Sequence, residues 1–538
     1  MTQAIGTFDY IVVGAGSAGC VLANRLTASG RHRVLVLEAG PEDRNLWIHV
    51  PLGYGKLFKD RRHNWLYESE PQEHMDGRRI VQPRGKVLGG SSSINGLIYI
   101  RGQREDYDLW RQLGLAGWSY DDVLPYFRRA EDQCRGEDAY HGVGGPLSVA
   151  EVRDRHPLCD AFIAAAAQAG IPTTRDFNGP VQEGAGYIQM TARGGRRCST
   201  ARGYLRPARA RPNLTVLTGA LVTRLLFEGR RATGVTFRHE GALKQARAGA
   251  EVILSSGAFN SPQLLQLSGV GPADLLGAHG IPVVLDQPGV GADLQDHLQA
   301  RMVWKCTRPV TVNDDMATLA RRVRMGLAYV LARRGSLALA AGTACAFFKT
   351  DPRLATPDIQ VHFITFSTDR MGETLHPFSG FTASVCQLRP ESRGWVRIRS
   401  ADPAQAPAIH PNYLATETDR RTMVDGLKIL RAIHQKPAMT PFVAAEYDPG
   451  PACVSDGDFL AHVRARGTTI YHPSSTCRMG TDARAVTDER LRVRGLGGLR
   501  VVDASIMPAV VSGNTNAPVV MIAEKASAMI LDDAGAPA

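Results

Sequence analysis

Two rhythms of apolar and polar positions run along this chain. The first consists of short, unbroken apolar runs bounded by glycine and acid. Tyr10 to Val13 is one such run; after Gly14, Gly16 and Gly19 a helical stretch follows from Ala18 to about Ala28, then a second run, Val34 to Leu37, closed by Glu38. Runs that are apolar on both faces predict buried parallel strands. Asn213 to Phe227 predicts short strands, and Glu251 to Ser255 a further one. That strand leads into a turn, a helix opened by Ser261 and Pro262, and a glycine stop at Gly271. Near the end, Leu499 to Val502 is a buried strand closed by Asp503, and Asn516 and Pro518 open a helix to about Leu531. That helix is apolar nearly all round, which predicts burial.

The second rhythm lies between about Leu298 and Arg466. Asp358 to Phe366 and Phe381 to Leu388 alternate partly with period two, and Trp395 to Arg399 does so more cleanly after the turn-like E-S-R-G. This predicts an antiparallel sheet with one wet face. A helix over Leu158 to Ala169 precedes a polar, Gly/Arg-rich stretch. With 538 residues the chain is too long for one compact core, so two units are expected. The predicted class is α/β in the first unit and α+β over the whole chain. The first unit comprises 1–156, 212–297 and 467–538, and the second 157–211 and 298–466.

The chemistry begins at the first turn. Gly14, Gly16 and Gly19 form G-x-G-x-x-G between a strand and a helix, and Glu38 ends the next strand about twenty residues on. Gly14 permits the tight turn, Gly16 lets the backbone approach a pyrophosphate, and Gly19 lets helix pack on strand. The helix N-terminus attracts phosphate, and Glu38 accepts hydrogen bonds from a ribose. A dinucleotide is therefore expected. A second glycine-rich segment, Pro83 to Gly102, again combines glycines and serines with flanking apolar residues, as a loop buried against something flat and polar would.

Composition narrows the classes. The net charge of +11 comes from scattered arginines, without a basic run or a nucleic-acid motif, so a solvated surface is expected and no nucleic-acid partner. The nine cysteines lie far apart, which excludes a metal motif and a disulfide framework. The longest weakly polar run, Gly335 to Phe348, is too short to span a bilayer. No signal-peptide pattern precedes the first strand. A cytoplasmic protein is expected, with peripheral membrane contact left open and the oligomeric state unread.

Five ordered motifs carry a resemblance to a known family: G-A-G-S-A-G with Glu38, G-K-V-L-G-G-S-S-S-I-N at Gly85 to Asn95, and G-A-F-N-S-P-Q-L-L-Q-L-S-G-V-G at Gly257 to Gly271. The others are Y-H-P-S-S-T-C-R-M-G at Tyr471 to Gly480, and V-V-D-A-S-I-M-P followed by G-N-T-N-A-P up to Pro518. The chain resembles the glucose–methanol–choline (GMC) oxidoreductases over essentially its whole length, in particular choline-dehydrogenase-like and alkanol dehydrogenases. The resemblance implies a Rossmann-like FAD-binding domain and a substrate domain whose antiparallel sheet is covered by helices. It places Gly14, Gly16, Ser17, Ala18, Gly19, Glu38 and Ala39 on the dinucleotide. Trp65, Val87, Gly90, Ser91, Asn95, Gly96, Leu97, Ile98 and Tyr471 fall near the flavin. Val222 meets the adenine, Asp503 and Ala504 the ribityl-pyrophosphate side, and Asn516 and Ala517 the ring.

The implied reaction is oxidation of a primary, fairly apolar alcohol to an aldehyde. His472 is the base for the hydroxyl proton, Asn516 its partner on the substrate oxygen, and flavin N5 the hydride acceptor. Electrons then pass to a quinone or similar acceptor. An oxidase using O2 is the alternative, and a non-redox flavin lyase a remote one. Ile94 stands where some choline oxidases carry a flavin-linking histidine, so the FAD is expected to be non-covalent. Thr343 to Phe347 matches a stretch that carries glutamate in choline and alkanol dehydrogenases, which puts choline in doubt.

Overall fold

The computed structural model describes residues 2–535. Its first sheet runs in the order Leu214–Thr218, Val34–Glu38, Gln3–Val13, Ala242–Leu254, Arg231–His239, Leu221–Glu228, with Leu499–Val501 also pairing Ala242–Leu254. The central strands are parallel: Tyr10 to Val13 lie beside Val34 to Leu37 on one edge and Glu251 to Leu254 on the other. All five residues of Val34–Glu38 are buried. The helices Ser17–Leu26 and Asn516–Asp533 pack against this sheet, and Val21, Leu22, Val520 and Ile522 join one continuous apolar core. The C-terminus therefore completes the unit that the N-terminus begins.

The second large sheet is antiparallel, in the order Val443–Asp448, Leu298–Cys306, Gly380–Gln387, Ile359–Ile364, Ala344–Phe348, Gly184–Tyr187. The sequence predicts one wet face here. Instead Ile359–Ile364 and Gly380–Gln387 are buried at every position. The alternation has a different origin. Ile359, Val361 and Phe363 point into an apolar core with residues of the Pro157–Gln168 and Glu417–His434 helices. The intervening Gln360, His362 and Ile364 face the other way, toward the first unit. The polar face is thus covered by protein.

Two stretches sit elsewhere than expected. Ala201, Tyr204, Leu205 and Ala208, assigned by sequence to the second unit, pack into the core of the first. Trp395–Arg397 belongs to a separate two-stranded sheet with Ala408–His410, and Val396 and Ile409 pack on Phe259 and Leu294. Among the described residues no helix is long and apolar enough to cross a membrane, no group of His, Cys, Asp or Glu is placed to hold a metal, and all nine cysteines are free.

Candidate active site

One cavity of about 520 Å³ lies between the two sheets. Gly14, Gly16, Ser17, Ala18, Glu38, Ala39, Trp65, Gly90, Ser91, Asn95, Gly96, Leu97, Ile98, Val222, Tyr471, His472, Asp503, Ala504 and Asn516 all line it. Gly19, Val87 and Ala517 do not. A Cβ on Gly19 would lie 1.9 Å from the Gly14 carbonyl oxygen, so its task is helix-on-strand packing. Val87 packs behind the wall with Ile48 and Leu57, and Ala517 is in the core.

At one end the wall is built of backbone. The two glycine loops meet there: a Cβ on Gly90, where φ is +51°, would come 2.7 Å from the Gly16 Cα. The helices Ser17–Leu26 and Asn516–Asp533 both start at the cavity, and neither has a side-chain cap. Uncapped N–H groups and two positive helix ends suit an anionic ligand. Glu38 lines the cavity and also holds the first turn. Its Oε2 accepts from the Ala15 N–H (2.9 Å) and its Oε1 from the Gly40 N–H (2.8 Å), while burial pushes its carboxyl up to about 7. It thus fixes the first turn from within. Asp503 likewise accepts from the Gly257 N–H (2.8 Å), the Ser261 hydroxyl (2.6 Å) and the Ser505 N–H (2.8 Å).

The second glycine loop is held by a residue that sequence reasoning missed. Buried Arg197 donates to the Asn95 side chain (2.6 Å), to the Asn95 carbonyl (2.7 Å), to Ser92 O (3.1 Å) and to Ile48 O (2.7 Å). Burial without a carboxylate pulls its guanidinium down to about 9. An arginine in a Gly/Arg-rich stretch gave no signal that it would reach back about a hundred residues.

At the other end lies the candidate chemistry. Tyr471 has φ of +72°, a strained conformation for a non-glycine residue, and it turns His472 into the cavity. The His472 N–H is anchored on Asp296 Oδ1 (2.8 Å), and Asp296 also accepts from Thr469 and Tyr413. The ring bonds then run in one direction. His297 Nε2 lies 3.0 Å from the Leu388 carbonyl and must donate to it, which leaves His297 Nδ1 as an acceptor. His472 Nδ1, 3.0 Å away, is therefore the donor to His297, and His472 Nε2 carries a bare lone pair. Burial, reinforced by His297, His362 and Arg84, holds the His472 imidazole well below 6.5, so the ring is neutral.

The partner of that lone pair is not Asn516. Asn514 Nδ2 donates to His472 Nε2 (3.2 Å), and Asn514 Oδ1 accepts from Gln360 Nε2 (3.1 Å). Asn516 is the first residue of the C-terminal helix, and its Oδ1 accepts from the Ser17 hydroxyl (2.8 Å), tying two helix starts together. In G-N-T-N both asparagines fit the pattern. Only the helix start, which turns the second one away, separates them. His297, His362 and Asp296 were also missed, because isolated residues on strands and loops carry no spacing signal.

The expected FAD fits this wall. The glycine contacts leave room for a ligand against bare backbone, the uncapped helix ends face it, and Ser255 Oγ is buried without a partner at the strand end. Comparison with known proteins agrees. A family model described as GMC oxidoreductase matches residues 8–299, and another with the same description matches 390–523. The chain is 47% identical over 532 residues to mitochondrial choline dehydrogenase of Mus musculus, covering 97% of this chain and 89% of that protein. It is 44% identical over 527 residues to an alcohol dehydrogenase [acceptor] of Pseudomonas putida, covering 97% and 96%. An FAD-dependent oxidoreductase from Chaetomium thermophilum superposes with a TM-score of 0.90 at 26% identity, covering 98% of this chain and 100% of that one. The chain therefore belongs to the GMC oxidoreductase family and is an FAD-dependent oxidoreductase.

Proposed function

We propose that this enzyme oxidises a primary alcohol to an aldehyde, with His472 as the base and Asn514 as the group that orients the substrate oxygen. The observation that carries this reading is the unprotonated Nε2 of His472 on the cavity wall, which accepts from the Asn514 amide donor. An alcohol oxygen entering there accepts from Asn514 Nδ2 and presents its proton to His472 Nε2. The Leu388–His297–His472 chain keeps the ring in the tautomer that accepts at this position. As the proton leaves, negative charge grows on an oxygen held beside an amide donor and near Arg84, which stabilises it. The bound flavin supplies the two-electron acceptance that turns the alcohol carbon into a carbonyl carbon. The relatives' names support an alcohol substrate and a separate electron acceptor.

Electrons then leave to a quinone or similar acceptor; return of flavin colour in air, with peroxide, would assign the enzyme instead as an oxidase. The flavin is held without a covalent bond. Ile94, on the cavity wall, offers no nucleophile where such a bond would form, so acid precipitation should release all the flavin to the supernatant.

Peripheral membrane contact also belongs to this reading. The Leu319–Ala332 helix lies on the surface with Leu319 and Leu331 75% and 81% exposed, and Val323, Leu327 and Val330 exposed between them. At 100° per residue these five span roughly a 120° stripe, flanked by exposed Arg322 and Arg324. No acidic residue occurs between Asp315 and Asp351. An apolar stripe edged by arginine suits an anionic bilayer surface.

A further inference from the structure

The floor of the cavity, on the second sheet, carries a row of polar groups that the proposed reaction does not use. Leu298, Ala300 and Met302 point into the helix-covered core, so Gln299 and Arg301 face the cavity, which both line. Arg301 pairs across the sheet with Ser384, and Ser384 with His362. These three side chains therefore stand in line across three neighbouring strands, each step about 4.8 Å. Each holds a buried polar atom without a well-formed hydrogen bond: Arg301 Nε, Ser384 Oγ, and the ring nitrogens of His362, beside which the Asn514 side chain lies. His362 is only 4% exposed and Ser384 0%. Tyr54 Oη, on the same wall, is also buried and unpartnered.

Unpartnered buried donors cost stability unless a ligand completes them. The members that line the cavity are the Arg301 guanidinium, the His362 imidazole and the Tyr54 phenol, a donor set for an oxyanion; Ser384 lies behind them. Among the described residues, the only carboxylates on the cavity wall are Glu38 and Asp503, and both already accept from backbone N–H groups at the nucleotide end. Nothing there balances a cation near His472, and Arg301 repels one. We infer that the alcohol oxidised here carries an anionic group, such as a carboxylate or sulfonate, which Arg301 binds while His362 and Tyr54, on the same wall, complete the donor shell. This rests on the alcohol reading of the same site. It also separates this chain from relatives named for choline, whose trimethylammonium head would face a fixed positive charge.

The test uses the holoenzyme with hydroxycarboxylates from glycolate to hydroxyhexanoate, hydroxyalkyl sulfonates, the matched neutral amides, and choline, following flavin reduction without air. The result expected is a kcat/KM for one anionic alcohol roughly two orders of magnitude above its amide, with choline inert. Arg301→Gln should erase that ratio, mainly through KM, while oxidation of the amide stays within a few-fold. Arg301→Lys should keep most of the ratio, which guards against a folding artefact. If amides are oxidised as well as the anions and Arg301→Gln leaves the ratio unchanged, the anion proposal is overturned and the alcohol reading stands. If no alcohol of any charge reduces the flavin, the alcohol reading falls and this inference with it.

Discussion

His472 is ready to take a proton because its neighbours leave one ring nitrogen unprotonated. Leu388 fixes the tautomer of His297, His297 fixes that of His472, and Asn514 marks where an oxygen will sit. His472→Ala should retain FAD and lose flavin reduction by about a hundred- to ten-thousandfold, read by anaerobic rapid mixing. Asn514→Ala should cost about two to three orders of magnitude in the same measurement. Asn516→Ala should leave the reduction rate near that of the wild type and loosen flavin binding; the reverse pattern would return the partner role to Asn516. The pH dependence has a definite sign. Because the imidazole is held well below 6.5, it remains a neutral base as pH falls through that value, so the acid limb of the reduction rate should lie below pH 6.5. The histidine itself was legible in Y-H-P-S-S-T-C-R-M-G. Its relay was not, since His297 and Leu388 become neighbours only through the sheet.

The two glycine segments act as one element, because each supplies the space the other's backbone occupies. A methyl on Gly90 meets the Gly16 Cα and must also adopt a positive φ, which alone costs about 1–2 kcal/mol. Gly90→Ala should therefore yield folded protein depleted in flavin, measured as the ratio of flavin to protein absorbance. A full flavin complement would show that this approach is not needed. Each loop was visible in sequence from its glycines and flanking apolar runs. What was hidden is Arg197, which holds Asn95 and Ser92 in place, and the covered polar face of the second sheet. Alternation along a strand reports two different faces, and it does not say whether the polar one meets water or a second unit of the same protein.

Across the whole fold, burial of neutral histidines couples stability to pH. His297, His362 and His434 are each lowered from 6.5 to about 4 by burial. Below 6.5 the unfolded chain binds protons that the folded one refuses, so stability should fall as pH drops from 6.5 toward 4 and level off beneath. Each of the three contributes on the order of 3 kcal/mol to that loss. Denaturant unfolding of the holoenzyme across this range measures it; a flat profile would contradict the buried, neutral state. At the surface, the enzyme should float with vesicles of phosphatidylcholine and phosphatidylglycerol but not with phosphatidylcholine alone. Leu327→Asp with Leu331→Asp should abolish flotation while leaving flavin content and turnover unchanged; a salt-insensitive dimer that this pair dissociates would show a second copy on that face instead. The central claim, that an alcohol reacts between His472 and the flavin, is tested most directly by mixing the yellow holoenzyme without air with a broad panel of alcohols and following flavin absorbance. Bleaching by one class of primary alcohol in the wild type, slowed at least about a hundredfold in His472→Ala, is the predicted result. A flavin that no alcohol bleaches, or a His472→Ala variant that bleaches as fast as the wild type, would contradict it.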